Sequence, residues 1–173
     1  LKNYLNTVLF NGSNNVNWYF NSEVVNIKSR TDFNKMLSQI CETIYHKTPT
    51  LRSELMNRHK LSSNVSYARR NLLERVINNY EEENLGFTAD EFPPEKAIYF
   101  ALLKNTGIHK EGRLGLHYFG EPTDETFLEL WNACNEFLEG ATVGKKPLYD
   151  LYKLLKQKPF KLKEGFLEYW LPI

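Results

Sequence analysis

The chain has 173 residues, 42% hydrophobic, 14% aromatic and 25% charged, a composition ordinary for a folded protein with a sizeable core. This excludes a disordered tail, a collagen-like rod and a coiled coil, and no stretch approaches the roughly 20 apolar residues that span a bilayer. Twenty-two basic against twenty-one acidic side chains leave +1, which does not indicate a strongly basic nucleic-acid binder.

In chain order, Leu1–Leu9 reads as a short helix with Leu1, Leu5, Val8 and Leu9 on one side. Asn11–Asn15 reads as a turn, because Asn, Gly and Ser tolerate left-handed backbone angles. Residues 16–20 and 23–28, joined by Asn21-Ser22, predict a β-hairpin. Asp32–His46 is the clearest helix: Phe33, Met36, Leu37, Ile40, Cys41 and Ile44 recur at three- and four-residue steps. Ser29 or Thr31 can cap it. A short helix is expected from Leu51 to Arg58, and a longer one over Asn64–Glu82 with Val65, Ala68, Leu72, Val76 and Tyr80 on one stripe. Arg69 falls within that stripe, where it must snorkel or meet a carboxylate.

Pro93-Pro94-Glu95 opens the next helix. Its continuation, Lys96–Asn105, is apolar nearly all round and therefore central to the core; Gly107 ends it. Residues 109–121 read as a loop with a strand at Leu114–Phe119. Thr123 supplies a hydroxyl cap for a helix bearing Phe127, Leu130, Trp131, Cys134 and Leu138. Gly140–Lys146 reads as a linker, Pro147 starts a helix, Pro159–Leu162 is too short for one, and Gly165–Trp170 begins another. The expected fold is mainly α: one helical domain of six or seven helices with a small N-terminal β-hairpin. The Phe33–Ile44, Val65–Tyr80, Ala97–Leu103 and Phe127–Leu138 faces are expected to bury one another.

Cys41 and Cys134 are the only cysteines; both read as small buried thiols, not a disulfide framework or a zinc site. Leu1–Phe10 lacks the basic-then-apolar layout of a signal peptide, and Trp170–Ile173 is apolar. Both ends read as cuts in a longer cytoplasmic protein.

Local charge is uneven. Residues 1–60 carry eight basic and four acidic side chains, 61–106 five and seven, 107–140 two and seven, and 141–173 seven and three. Such alternation suits contacts with other parts of a large protein, or a nucleic-acid patch at either basic end.

No phosphate-cradling Gly-x-x-x-x-Gly-Lys-Ser/Thr loop is present, nor Gly-x-Gly-x-x-Gly or Gly-x-Ser-x-Gly. The four histidines lack ligand spacing; His109 and His117 with Glu111 and Glu121 make a conceivable but unsupported metal set against a solvated loop. No catalytic residue and no metal ligand emerges. Two features stand out. Glu54, Asn57, Arg58 and Arg69 make a polar junction, either an internal network with Glu54 holding an arginine or an arginine presented to phosphate. The second is the basic C-terminal stretch, with Lys145, Lys146, Lys156, Lys158, Lys161 and Lys163 as candidate nucleic-acid contacts. Its leucine-rich helix, Pro-anchored segment and glycine-led helix start match the opening of a winged-helix unit. Its lysines equally suit a solubilising surface.

Thr48–Arg58, Lys60-Leu61-Ser62-Ser63 and Ala68–Leu72, with Phe92–Glu95, Ala97-Ile98-Tyr99 and Pro159–Gly165, resemble a stretch of very large bacterial P-loop ATPases associated with anti-phage defence, the BREX-type ATPase and its relatives. The resemblance spans residues 18–172. It implies a helical region over residues 1–140 and the truncated start of a winged-helix-like segment over 141–173. No cofactor is implied for this segment; ATP and Mg belong to the missing part of the parent. Partners would be other domains of the same large protein and DNA, with no membrane. Ser53 stands where that pattern has asparagine, which weakens a polar role there. Three functions follow as expectations: a non-catalytic coupling module of such an ATPase, a nucleic-acid-binding module, or a protein–protein interaction domain. A small enzyme ranks below all three for want of a convergent catalytic set.

Overall fold

A computed structural model describes residues 2–10 and 16–173; the expected turn over Asn11–Asn15, and Leu1, lie outside the described residues. The fold is mainly helical, with seven α-helices among the described residues and an N-terminal antiparallel hairpin. The chain forms two compact units, residues 1–46 and 47–173.

In the first unit, α1 (Lys2–Phe10) precedes strands β1 (Trp18–Phe20) and β2 (Glu23–Val25), which pair Trp18 with Val25 and Phe20 with Glu23. Asn21 and Ser22 both take positive φ, 49° and 69°. That is the two-residue connection whose twist suits adjoining antiparallel strands. Helix α2 (Arg30–Ile44) is capped by the Ser29 hydroxyl, which accepts the Asp32 N–H at 3.1 Å. The Asp32 carboxylate in turn accepts the Lys28 N–H at 3.2 Å. Phe33, Met36 and Ile40 face Trp18, Phe20 and Val25, with Trp18 and Phe33 ring centroids 5.1 Å apart. The expectation that the Phe33–Ile44 face is buried is corrected: within this unit a ribbon of two three-residue strands lies on it, and no α2 residue is buried. Cys41 is accordingly exposed rather than buried.

In the second unit, the expected Leu51–Arg58 helix is absent; residues 51–60 form extended chain and turns. Met56 is fully buried, and the Arg58 N–H bonds back to the Met56 carbonyl at 2.8 Å. Such a reversal is too tight for a helix, whose N–H reaches four residues back. Helix α3 (Ser63–Asn78) buries Val65, Ala68 and Leu72. It stops short of the expected Glu82, and Tyr80 lies exposed beyond its end. Helix α4 (Pro94–Tyr99) continues into a wider turn over Phe100–Lys104, where the Asn105 N–H reaches the Phe100 carbonyl five residues back. This widening leaves Ile98, Tyr99, Leu102 and Leu103 all fully buried, as the all-round apolar sequence requires.

Gly107 then turns the chain with φ +71°, and a side chain there would collide with Thr123. Residues 109–121, expected as a loop with one strand, form a hairpin: β3 (His109–Glu111) pairs antiparallel with β4 (His117–Phe119). Helix α5 (Glu125–Val143) is capped by Asp124 rather than Thr123, its carboxylate accepting the Thr126 N–H at 2.9 Å. It runs through the expected linker at Gly140. Helices α6 (Leu148–Lys156) and α7 (Glu164–Trp170) complete the unit. Among the described residues no helix is long and apolar enough to cross a membrane.

The core joins Met56, Leu61, Val65 and Leu72 to Ile98, Leu102, Phe127, Leu130, Leu151, Leu155, Phe166 and Tyr169. Residues 141–173 thus share one core with 56–130, and the compact units part at residue 46 rather than at 140. At Gly165 backbone meets backbone. The Gly165 N–H donates to the Arg58 carbonyl at 2.9 Å, and an added Cβ would lie 2.7 Å from that oxygen and 2.8 Å from the Met56 carbonyl. Backbone cannot yield as a flexible side chain does. Gly165→Ala is therefore expected to cost about 1–3 kcal/mol, read as a lowered urea midpoint; an unchanged midpoint would show that the 56–61 turn can move aside.

Candidate nucleic-acid interface

The α6 sequence has two sides. Leu151 and Leu155 are buried. At about 100° per residue, Tyr152, Lys156, Tyr149 and Lys153 follow one another around the helix beside that buried seam, an order set by the spacing Tyr149-x-x-Tyr152-Lys153-x-x-Lys156. The two tyrosine rings lie nearly parallel, 17° apart with centroids at 6.0 Å. Lys153 Nζ sits 4.5 Å from the Tyr149 ring centre, and Lys156 Nζ sits 5.0 Å from that of Tyr152. Such cation–π contacts at exposed sites are worth about 0.5–1 kcal/mol each, so a phosphate can draw the exposed Lys153 amine away at small cost. Tyr149 is 60% exposed.

Lys145 and Lys146 precede the helix and are exposed, with Lys146 Nζ 5.8 Å from the Phe137 ring centre. Lys158 follows the helix, before the cis Pro159, and Lys161 sits at φ 54°; both are exposed. Lysines thus bracket a helix about 13 Å long. Acids are also present: Asp150 is exposed on α6, and Glu164 lies 3.8 Å from Lys156. The Tyr152 hydroxyl accepts from Lys156 Nζ at 3.1 Å. That bond, with Glu164 nearby, raises the pKa of the Lys156 amine and keeps it charged.

Lys163 differs from its neighbours. Half-buried at the start of α7, it donates to the Asn57 carbonyl at 3.2 Å, which makes it a structural contact. The polar junction likewise closes on the C-terminal segment. Arg58 Nε donates to the Glu54 carbonyl at 3.0 Å, not to its carboxylate. Arg69 pairs with Glu168 of α7 rather than with Glu54. Glu54, Asn57 and Arg58 are exposed, and Arg69 is half-buried. Sequence reasoning missed Tyr149 and Lys153 as surface residues beside the half-buried Tyr152, although their spacing on one helix side was legible.

His109 and His117 form a second polar cluster, buried rather than in a solvated loop. The Tyr80 carbonyl can only accept, so the 2.7 Å contact fixes the proton on His109 Nε2. Nδ1 then accepts the Tyr99 hydroxyl at 2.8 Å. The His117 ring centre lies 5.2 Å away, and its Nδ1 is buried without a partner among the described residues. Among those residues no group of three or more His, Cys, Asp or Glu is placed to hold a metal ion. Burial lowers the His109 pKa, with the His117 and Lys104 charges acting the same way; burial likewise raises that of Tyr99 well above the usual phenol range.

A neutral buried His109 makes the unfolded state the better proton binder below its ordinary pKa of about 6.5. Its contribution should leave stability unchanged above that pH and lower it as pH falls from about 6.5 toward the depressed folded value. Denaturant midpoints measured from pH 7.5 to 5.5 should therefore fall, and fall less steeply in His109→Phe. Equal slopes in both chains would show that other groups set the acid response.

The chain matches no known family model, no curated protein and no solved structure.

Proposed function

We propose that this chain is a non-catalytic, cytoplasmic module of a larger protein that contacts nucleic acid through the basic side of residues 145–158, with Lys161 as a further contact. The observation that carries this reading is the α6 stripe, where lysines alternate with two stacked tyrosines, Tyr149 exposed and Tyr152 half-buried, beside Lys145, Lys146 and Lys158. Lysine amines supply sequence-independent attraction to phosphate. Aromatic rings add stacking worth about 1–3 kcal/mol per base. The reverse side of the same helix is anchored in the core through Leu151 and Leu155, so the stripe is presented on a fixed element.

Coupling of this contact to nucleotide state in a large defence-type ATPase, with ATP and Mg held outside this segment and 141–173 leading into a winged helix, rests on the sequence resemblance alone. Lys163 is reassigned in this reading from phosphate contact to the Asn57 carbonyl, and of the two alternatives for Arg69, internal network or phosphate contact, the network is kept with Glu168 as partner in place of Glu54.

Fluorescence anisotropy with a labelled nucleic acid at low and near-physiological salt tests the reading. Binding should weaken steeply with salt. Lys145→Glu with Lys146→Glu should reduce affinity at least tenfold, since each reversal replaces a phosphate contact by repulsion. Absence of binding at low salt would sink the proposal. A second reading, a protein contact, draws on the apolar pocket lined by Trp131, Leu138, Leu148, Leu151, Trp170 and Ile173, and would then take its place.

A further inference from the structure

The α6 stripe also bears on which form of nucleic acid is bound; this inference rests on the nucleic-acid reading above. Duplex recognition by a helix needs side chains that reach base edges, chiefly Arg, Lys, Asn or Gln. Helix α6 carries no Arg, Asn or Gln, and both of its lysines on the stripe lie over tyrosine rings. What it presents instead is flat aromatic surface. In a duplex the base faces are already stacked on one another and only their edges are open. In a single strand the faces are available, and stacking on aromatic side chains between phosphate-binding cations is the common mode of capture.

We propose that Tyr149 and Tyr152, flanked by Lys153 and Lys156, form a stacking platform for single-stranded nucleic acid. Bases stack on the tyrosine rings as the Lys153 amine swings from the Tyr149 ring to a flanking phosphate, while Lys156 stays beside the Tyr152 hydroxyl and Glu164. Lys145 and Lys146 extend the phosphate track past one end of α6, and Lys158 extends it past the other. The stripe has no dedicated group to distinguish ribose from deoxyribose, and every base has a π-face, so recognition is tolerant of both sugar and sequence. Asp150 borders the stripe, about 60° around the helix from Lys153, and Glu164 lies 3.8 Å from Lys156, so one acid stands beside each lysine.

The test compares the full chain binding to labelled oligo-dT, oligo-U and a duplex, each about 15 nucleotides or base pairs long, a length within the usual span of such sites. The two single strands should bind alike and at least several-fold more tightly than the duplex at near-physiological salt. Tyr149→Ala should weaken single-strand binding about tenfold, and Tyr149→Phe should restore it. Because Tyr149 is largely exposed, neither change should move the thermal midpoint. Duplex binding as tight as single-strand binding, or an unchanged affinity in Tyr149→Ala, overturns the platform while Lys145→Glu still reports a nucleic-acid contact. A strong preference between dT and U also overturns it, since it demands a sugar- or base-reading group that the stripe lacks. No binding of any probe at low salt overturns both this inference and the reading beneath it.

Discussion

The larger unit depends on one close approach: the start of α7 lies directly on the turn at residues 56–61. No side chain fits between Gly165 and the carbonyls of Met56 and Arg58. With the backbones this near, a row of contacts falls into place along the seam. Thr48 donates to the Phe160 carbonyl, Lys163 to that of Asn57, and the Tyr169 hydroxyl to that of Val65 at 2.7 Å. Arg69 meets Glu168 in the same register. The ion pair is about one-third exposed on each side and is worth little by itself. Burial of Phe166, Leu167, Tyr169 and Trp170 supplies most of the adhesion, and the polar contacts fix its register.

This seam explains why two separate features of the sequence are one feature of the fold. Glu54–Arg69 and Lys156–Gly165 each look like a surface awaiting a partner, because each is polar beside an apolar run. They are partners of one another. Nothing local could reveal this, since the pairs are about a hundred residues apart and the spacing of a helix or hairpin carries no information across such a gap. Helices α2, α3, α5 and α6, by contrast, are written in three- and four-residue apolar steps, and the first hairpin in its two-residue turn. The missing Leu51–Arg58 helix belongs with the illegible part, because Met56 is drawn into a core formed by distant segments. Exposure of Cys41 has the same origin: periodicity shows that a face is apolar, but not how much will cover it.

The candidate interface was half legible for a related reason. Counting lysines marks the C-terminal stretch as basic, yet it cannot separate Lys163, tied to a distant carbonyl, from Lys145 and Lys158, which remain in solvent. The tyrosines were readable as helical neighbours, but only the position of the buried seam through Leu151 and Leu155 leaves Tyr149 exposed and Tyr152 half-buried against the core. One nine-residue helix therefore serves both purposes, with its leucines and Tyr152 holding it to the core and Tyr149 and Lys153 left exposed.

Seating α7 on residues 56–69 also sets the order in which the chain can complete itself. Contacts within residues 16–44 are local and can form as soon as that stretch is made. Met56, Leu61 and Val65 must wait for residues 165–170. At ribosomal rates of about 5–20 residues per second, that interval lasts roughly 5–20 s. During it the apolar side of α3 lacks its final cover. The larger unit is thus a late-closing structure, vulnerable to premature association in the nascent chain.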